Sequence, residues 1–224
     1  MFEKIGTPEY ATLSNPCQEF LFLLCELKKK EKPLAVAEVG IGIGTTTLQI
    51  LKTLGSGDTL YLFDFQDVID EFNADIKKHP NYANGVNIIG IGNSRKTYDS
   101  FNWRFAEIIR QKLYANESSQ IFDAVYLDGA HTFMHTVAAC CLLKKLLKPS
   151  GYLVFDDVFW TLASYRGRNP HVTESLAKGY TEEQINIPHI AIVIDIFMKT
   201  DPEYRHVHLS AESKAPRAIF QKVA

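Results

Sequence analysis

The stretch Val36-Ala-Glu-Val-Gly-Ile-Gly-Ile-Gly-Thr-Thr46 constrains this chain more than any other. An apolar run with strand character ends in glycines at every second position, Gly40, Gly42 and Gly44. A helical pattern carrying Leu48, Ile50 and Leu51 follows. Glycine lets a backbone approach a ligand where any Cβ would collide, and a helix start adds unpaired N–H groups. Roughly twenty residues on, Leu60-Tyr-Leu-Phe-Asp64 is a second apolar strand ending in a carboxylate. Strand, glycine turn, helix, strand and acid form the layout of a nucleoside-binding α/β unit, with Asp64 placed for ribose hydroxyls. The spacing is Gly-x-Gly-x-Gly, not the Gly-x-Gly-x-x-Gly of dinucleotide folds, which argues against a pyrophosphate at the helix start. A tight turn that merely opens a helix is the alternative reading of the glycines.

The alternation continues downstream. Strands are predicted over 34–39, 59–64, 86–91, 122–127 and 152–155, and helices over 45–54, 68–78, 101–114 and 135–147. This predicts an α/β domain with a parallel sheet covered by helices on both faces. Upstream, residues 1–15 read as an irregular arm and 16–30 as a helix with Asn15 at its N-cap. Lys28 to Lys32 then read as a solvated helix end. Residues 159–190 have few periodic apolar positions and read as a substrate-side insertion. Ile190 to Met198 is read as helix. Segments 204–209 and 218–223 read as a hairpin added antiparallel to the sheet edge. The predicted organisation is an N-terminal arm and helix over 1–33 and one domain over 34–224.

At 46% apolar and 22% charged residues, 224 residues suffice for one large α/β domain with a full core. The net charge of −2 gives no global pull toward nucleic acid or an anionic membrane. Cys17, Cys25, Cys140 and Cys141 lack metal-ligand spacing and read as free thiols of a reducing cytosol. No apolar run is long enough to span a bilayer, and Glu3, Lys4 and Pro8 interrupt any signal-peptide pattern. The expectation is a cytoplasmic protein with a small-molecule substrate. Its N-terminal helix and insertion offer surfaces for a homodimer.

In open α/β sheets, ligands bind beyond the carboxyl ends of the strands. Polar residues recur at those ends here: Glu38, Asp64, Asn93-Ser94, Asp128 with His131, and Asp156-Asp157. Asp128, Asp156 and Asp157 would repel one another if bare, and a hard divalent cation, Mg²⁺ or Mn²⁺, relieves that repulsion. Local caps and turns are the alternative for these acids. His131, three residues past Asp128, suits a general base near neutral pH. Asn93 and Ser94 read either as adenine-side contacts or as turn formers. Trp160, Tyr165, Arg166, Arg168 and His171 fall in the insertion, where arginines near aromatic residues suit a phosphorylated or nucleotide-linked substrate. His171 and His189 flank it, within reach of substrate or metal, with a surface role as the alternative.

Ala37-Glu-Val-Gly-Ile-Gly-Ile-Gly44 resembles the first motif of class I S-adenosylmethionine-dependent methyltransferases. Tyr126-Leu-Asp-Gly-Ala-His131 and Leu147-Lys-Pro-Ser-Gly-Tyr-Leu-Val-Phe-Asp-Asp157 are similar to one branch, the metal-dependent sugar O-methyltransferases of macrolide tailoring (macrocin and mycinamicin type). The resemblance spans residues 34–158. It implies a Rossmann-like, seven-stranded, mostly parallel sheet with one antiparallel strand. It also implies S-adenosylmethionine held by Glu38, Gly40, Gly42, Gly44, Asp64, Asn93, Ser94 and Asp128. Mg²⁺ would sit on Asp128, Asp156 and Asp157, with His131 as base. Asn93 stands where relatives carry Asp. The expected activity is O-methylation of a sugar or small polar metabolite. An amine or phosphorylated acceptor, a nicotinamide-dependent oxidoreductase and a non-catalytic binder of the methyl donor are the alternatives.

Overall fold

The computed structural model describes residues 1–165, 170–208 and 217–223. Among them a seven-stranded sheet runs in the order β3-β2-β1-β4-β5-β7-β6. The strands are β1 (Ala35–Val39), β2 (Thr59–Phe65), β3 (Asn87–Asn93), β4 (Phe122–Leu127), β5 (Leu147–Phe155), β6 (Tyr204–Val207) and β7 (Ala218–Lys222). The first five pair in parallel, and β7 is antiparallel to both β5 and β6. The order reverses between β1 and β4, so a crevice opens at their carboxyl ends.

Alternation along the strands explains why both faces are covered. Val36, Leu60, Leu62, Ala124 and Val154 point into one core, with Phe20, Leu24, Ile50 and Phe72. Ala37, Val39, Phe63, Val125, Leu127 and Phe155 point into the other, with Phe105, Leu143 and Val193. The first core lies under α1 (Gln18–Lys28), α2 (Thr45–Thr53) and α3 (Gln66–Lys78). The second lies under α4 (Phe101–Tyr114), α5 (Phe133–Leu146) and α8 (His189–Val193). Two short helices, α6 (Pro170–Gly179) and α7 (Glu182–Asn186), complete the set. No helix among the described residues is long and apolar enough to cross a membrane.

Three local expectations need correction. The N-cap position of α1 is Cys17, not Asn15, and no side chain caps it there. The arm is not irregular throughout, since Phe2–Lys4 and Pro8–Leu13 form 3-10 turns. The lysines after α1 are not merely solvated. Lys28 reaches buried Asp58 at 2.7 Å and Lys32 reaches Asp123 at 3.1 Å. Residues 190–198 are helical as expected, although Ile194–Met198 widens into a π-type turn.

Candidate active site

Asp58 precedes β2 and Asp123 lies near the start of β4, so both sit at the sheet edge opposite the crevice. Asp58 accepts the Leu34 and Gly55 N–H groups at 2.9 and 2.8 Å besides Lys28. Asp123 accepts Ala35 N–H at 2.8 Å and Lys148 at 2.6 Å. Burial alone would raise both carboxyls, but these partners hold them below the usual range. At the crevice the direction is opposite. Burial raises Glu38 to about 8, and it also raises Asp64, Asp128 and Asp157. Carboxyls raised at one end of the strands and lowered at the other make the carboxyl end the candidate ligand site.

A cleft of about 590 Å³ occupies that edge, lined among others by Glu38, Gly40, Gly42, Asp64, Asp128, His131, Asp157 and Trp160. Gly40 has φ +84°, and a Cβ there would lie 2.2 Å from the Asp128 carbonyl oxygen. Only glycine lets the β1 and β4 tips approach this closely. Gly42, at φ +52°, borders open space. Gly44 does not line the cleft: its missing side chain makes room for Met1 and Phe2, 3.1 and 2.9 Å from where a Cβ would stand. Asp64 lines the cleft, but its Oδ2 accepts Ile41 N–H at 2.8 Å, so the carboxylate also fixes the glycine loop.

Glu38 is a deeply buried acid of the cleft. It is 1% exposed, and its Oε2 has no hydrogen-bond partner among the described residues. A buried carboxyl facing a cleft with a free oxygen fits a cationic or hydrogen-bonding ligand end. Asn93 and Ser94 border different hollows. Asn93 is buried and borders a second hollow of about 290 Å³ beyond Asp64, with Asp99 and Phe101. Its amide donates to the Ser94 and Asp99 carbonyls at 3.2 and 3.3 Å. Ser94 borders neither this hollow nor the main cleft, and its N–H donates to Asp99.

The strand tips bring Asp128, His131 and Asp157 together. One ligand atom from each lies within 4.8 Å of the others, and His131 Nε2 is 3.8 Å from both carboxylates. Donors on opposite sides of an octahedral Mg²⁺ stand about 4.2 Å apart, so the two carboxylates of this cluster fit one hard cation after small side-chain movements, with His131 beside it. Repulsion from Asp156 and Asp157 adds to burial in raising Asp128. Burial lowers the His131 pKa, opposed by Asp157 and Asp156. Asp156, the third expected metal ligand, also lines the cleft but stands outside this cluster, and its oxygens accept from Tyr126, Arg217 and the Asp157 N–H.

The remaining histidine of the insertion is structural. His189 is buried, accepts Phe133 N–H at 3.0 Å on Nδ1 and contacts the Gln184 carbonyl at 2.7 Å through Nε2. Trp160 does reach the site, with its ring 5.3 Å from that of His131. Arg166 and Arg168 lie outside the described residues, as do the side chains of Tyr165 and His171. Sequence reasoning missed Arg217, Tyr126 and the arm residues Thr12 and Leu13, all of which line the cleft. Tyr126 carried a signal, because it stands two residues before Asp128 on a strand and so faces the same side.

A model of the family described as "Methyltransferase domain" matches residues 37–158, more than half of the chain. The chain belongs to this family. No curated protein matches the methyltransferase. Solved structures share its fold at low identity. An O-methyltransferase from Bacillus cereus in complex with SAH has a TM-score of 0.57 at 14% identity, covering 94% of this methyltransferase and 83% of that chain. TomG, an O-methyltransferase from Streptomyces achromogenes involved in tomaymycin synthesis and solved with SAM, has a TM-score of 0.55 at 13% identity, with coverages of 93% and 81%. A putative caffeoyl-CoA O-methyltransferase from Staphylococcus aureus has a TM-score of 0.55 at 16% identity, with coverages of 96% and 89%.

Proposed function

We propose that the protein is an S-adenosylmethionine-dependent, divalent-metal-dependent O-methyltransferase acting on a hydroxyl of a sugar or similar small polar metabolite. The observation that carries this reading is the convergence of Asp128, His131 and Asp157 beside the glycine-lined cleft. Family membership supplies the reaction class, and two structural neighbours solved with SAH and with SAM support the methyl donor.

When bound, the donor supplies a methyl group on a sulfonium that is already a good leaving group, and a dication supplies positive charge that favours loss of the acceptor's proton. The chain's part is alignment and proton removal. Asp64 and Glu38 face the ribose and the cationic amino-acid end of the donor. Asp128 and Asp157 would hold the dication. His131, its pKa lowered by burial, is neutral at physiological pH and accepts the acceptor proton on Nε2. Trp160 walls the acceptor side of His131. Alignment of this kind contributes on the order of 7–11 kcal/mol at best.

Methyl transfer from labelled S-adenosylmethionine to a panel of vicinal diols and glycosides, with and without EDTA, tests the reading. Turnover lost in chelator and restored by Mg²⁺ or Mn²⁺ is expected. Full turnover in chelator removes the metal from the mechanism.

A further inference from the structure

Asp156 lies at the β5 tip among the acids of the site, yet its carboxylate serves other groups. It is buried, at 6% exposure. Its Oδ1 accepts the N–H of Asp157 at 2.8 Å and pairs with Arg217 Nε at 3.0 Å. Its Oδ2 accepts the Tyr126 hydroxyl and an Arg217 N–H at 3.3 Å. Arg217 is itself anchored on Glu19 of α1 at 3.0 Å. Asp157 has φ +50°, a left-handed conformation that costs a non-glycine residue about 1–2 kcal/mol unless its surroundings hold it. The Asp156 carboxylate bonds the backbone N–H of that same residue.

We infer that Asp156 is a positioning residue and not a metal ligand. Clamped by Arg217 and Tyr126, it holds the Asp157 backbone in its left-handed turn, and so aims the Asp157 carboxylate at Asp128 and His131. Charge balance agrees. Arg217, shared with Glu19, partly offsets the Asp156 charge, whereas Asp128 and Asp157 face His131. The Tyr126 hydroxyl also lies 3.3 Å from Asp128 Oδ2, so one anchor touches both sides of the cluster. The consequence for metal affinity rests on the proposed function; the positioning of Asp157 does not.

Mn²⁺ titrations by calorimetry on the wild-type protein, Asp156→Asn, Asp156→Ala and Asp157→Asn test this, with S-adenosylhomocysteine binding as a check of folding. Asp156→Asn keeps an oxygen for the Asp157 N–H and is expected within about fivefold of wild type. Asp156→Ala is expected to lose about 10–100-fold, the range for outer groups that orient a ligand, and Asp157→Asn more than either. A loss in Asp156→Asn as large as in Asp157→Asn makes Asp156 a ligand and overturns the inference. Wild-type affinity in Asp156→Ala overturns it equally. If the wild-type protein binds no Mn²⁺, the metal proposal fails on its own, and the crystal structure of Asp156→Ala then decides. Asp157 leaving positive φ with its carboxylate turned from His131 supports positioning, and an unmoved Asp157 overturns it.

Discussion

The carboxylate of Asp64 accepts the backbone N–H of Ile41 at 2.8 Å, so the acid that ends β2 also shapes the glycine loop after β1. Removing it has two effects at once. Asp64→Ala deletes a charged hydrogen-bond partner of the loop and the group proposed to face the donor ribose. Charged hydrogen bonds contribute about 1.5–3 kcal/mol each. Affinity for S-adenosylhomocysteine, measured by calorimetry, is expected to fall at least about tenfold, with Asp64→Asn intermediate.

The glycines are not equivalent. Gly40→Ala drives a Cβ into the Asp128 carbonyl and is expected to destabilise the fold strongly in urea titrations. Gly42→Ala borders open space, so its expected cost in stability is confined to the strain of positive φ, about 1–2 kcal/mol. Its expected defect is in donor binding.

Glu38 makes stability depend on pH in a defined direction. Burial raises its carboxyl to about 8 in the folded protein, against an ordinary value of 4.5. The folded state therefore keeps a proton that the unfolded state has lost. Its stabilising contribution is full below the unfolded value and disappears as pH rises through the window to the folded value. The slope for one group is about 1.4 kcal/mol per pH unit. Urea denaturation of the ligand-free protein from pH 5 to 9, about the window this predicts, is expected to show falling stability, and Glu38→Gln to flatten the fall.

His131→Ala separates base from ligand. A rate loss of about 10²–10⁴-fold with Mn²⁺ affinity nearly unchanged is expected for a base. Loss of the metal instead would make the imidazole a ligand.

At the opposite edge, Lys28→Met leaves Asp58 with only its backbone donors. A loss of about 1–3 kcal/mol in folding stability is expected, with donor affinity unchanged, because the pair lies far from the cleft in the sheet.

Much of the sheet was legible from residue patterns. Helix α4 falls on the predicted 101–114, and β4 on the predicted 122–127, because each is an uninterrupted periodic segment with polar breaks at both ends. Boundaries slipped where that contrast is weak. Strand β5 begins at Leu147, not at Tyr152, because Lys148-Pro-Ser-Gly151 reads as a turn but continues the strand. In the site, strand-end position picked out Asp64, Asp128, His131 and Asp157. The same rule grouped Asp156 with its neighbour, since adjacent residues share a strand tip, while their different partners come from distant segments. Arg217 was invisible to it, being 61 residues from Asp156 in the chain.

The order of apolar and polar residues by itself determined the strands, the helices that cover them and the edge at which acids collect, because periodicity and glycine placement act over a few residues. The tertiary structure alone decided which of those acids face one another. That choice depends on partners brought from distant segments, with Lys28 balancing one carboxylate, Arg217 another, and Asp128 and Asp157 left, among the described residues, without a Lys or Arg salt bridge beside His131. Burial is a property of the assembled chain, and it is burial that turns an ordinary aspartate into a charge in need of a counter-ion.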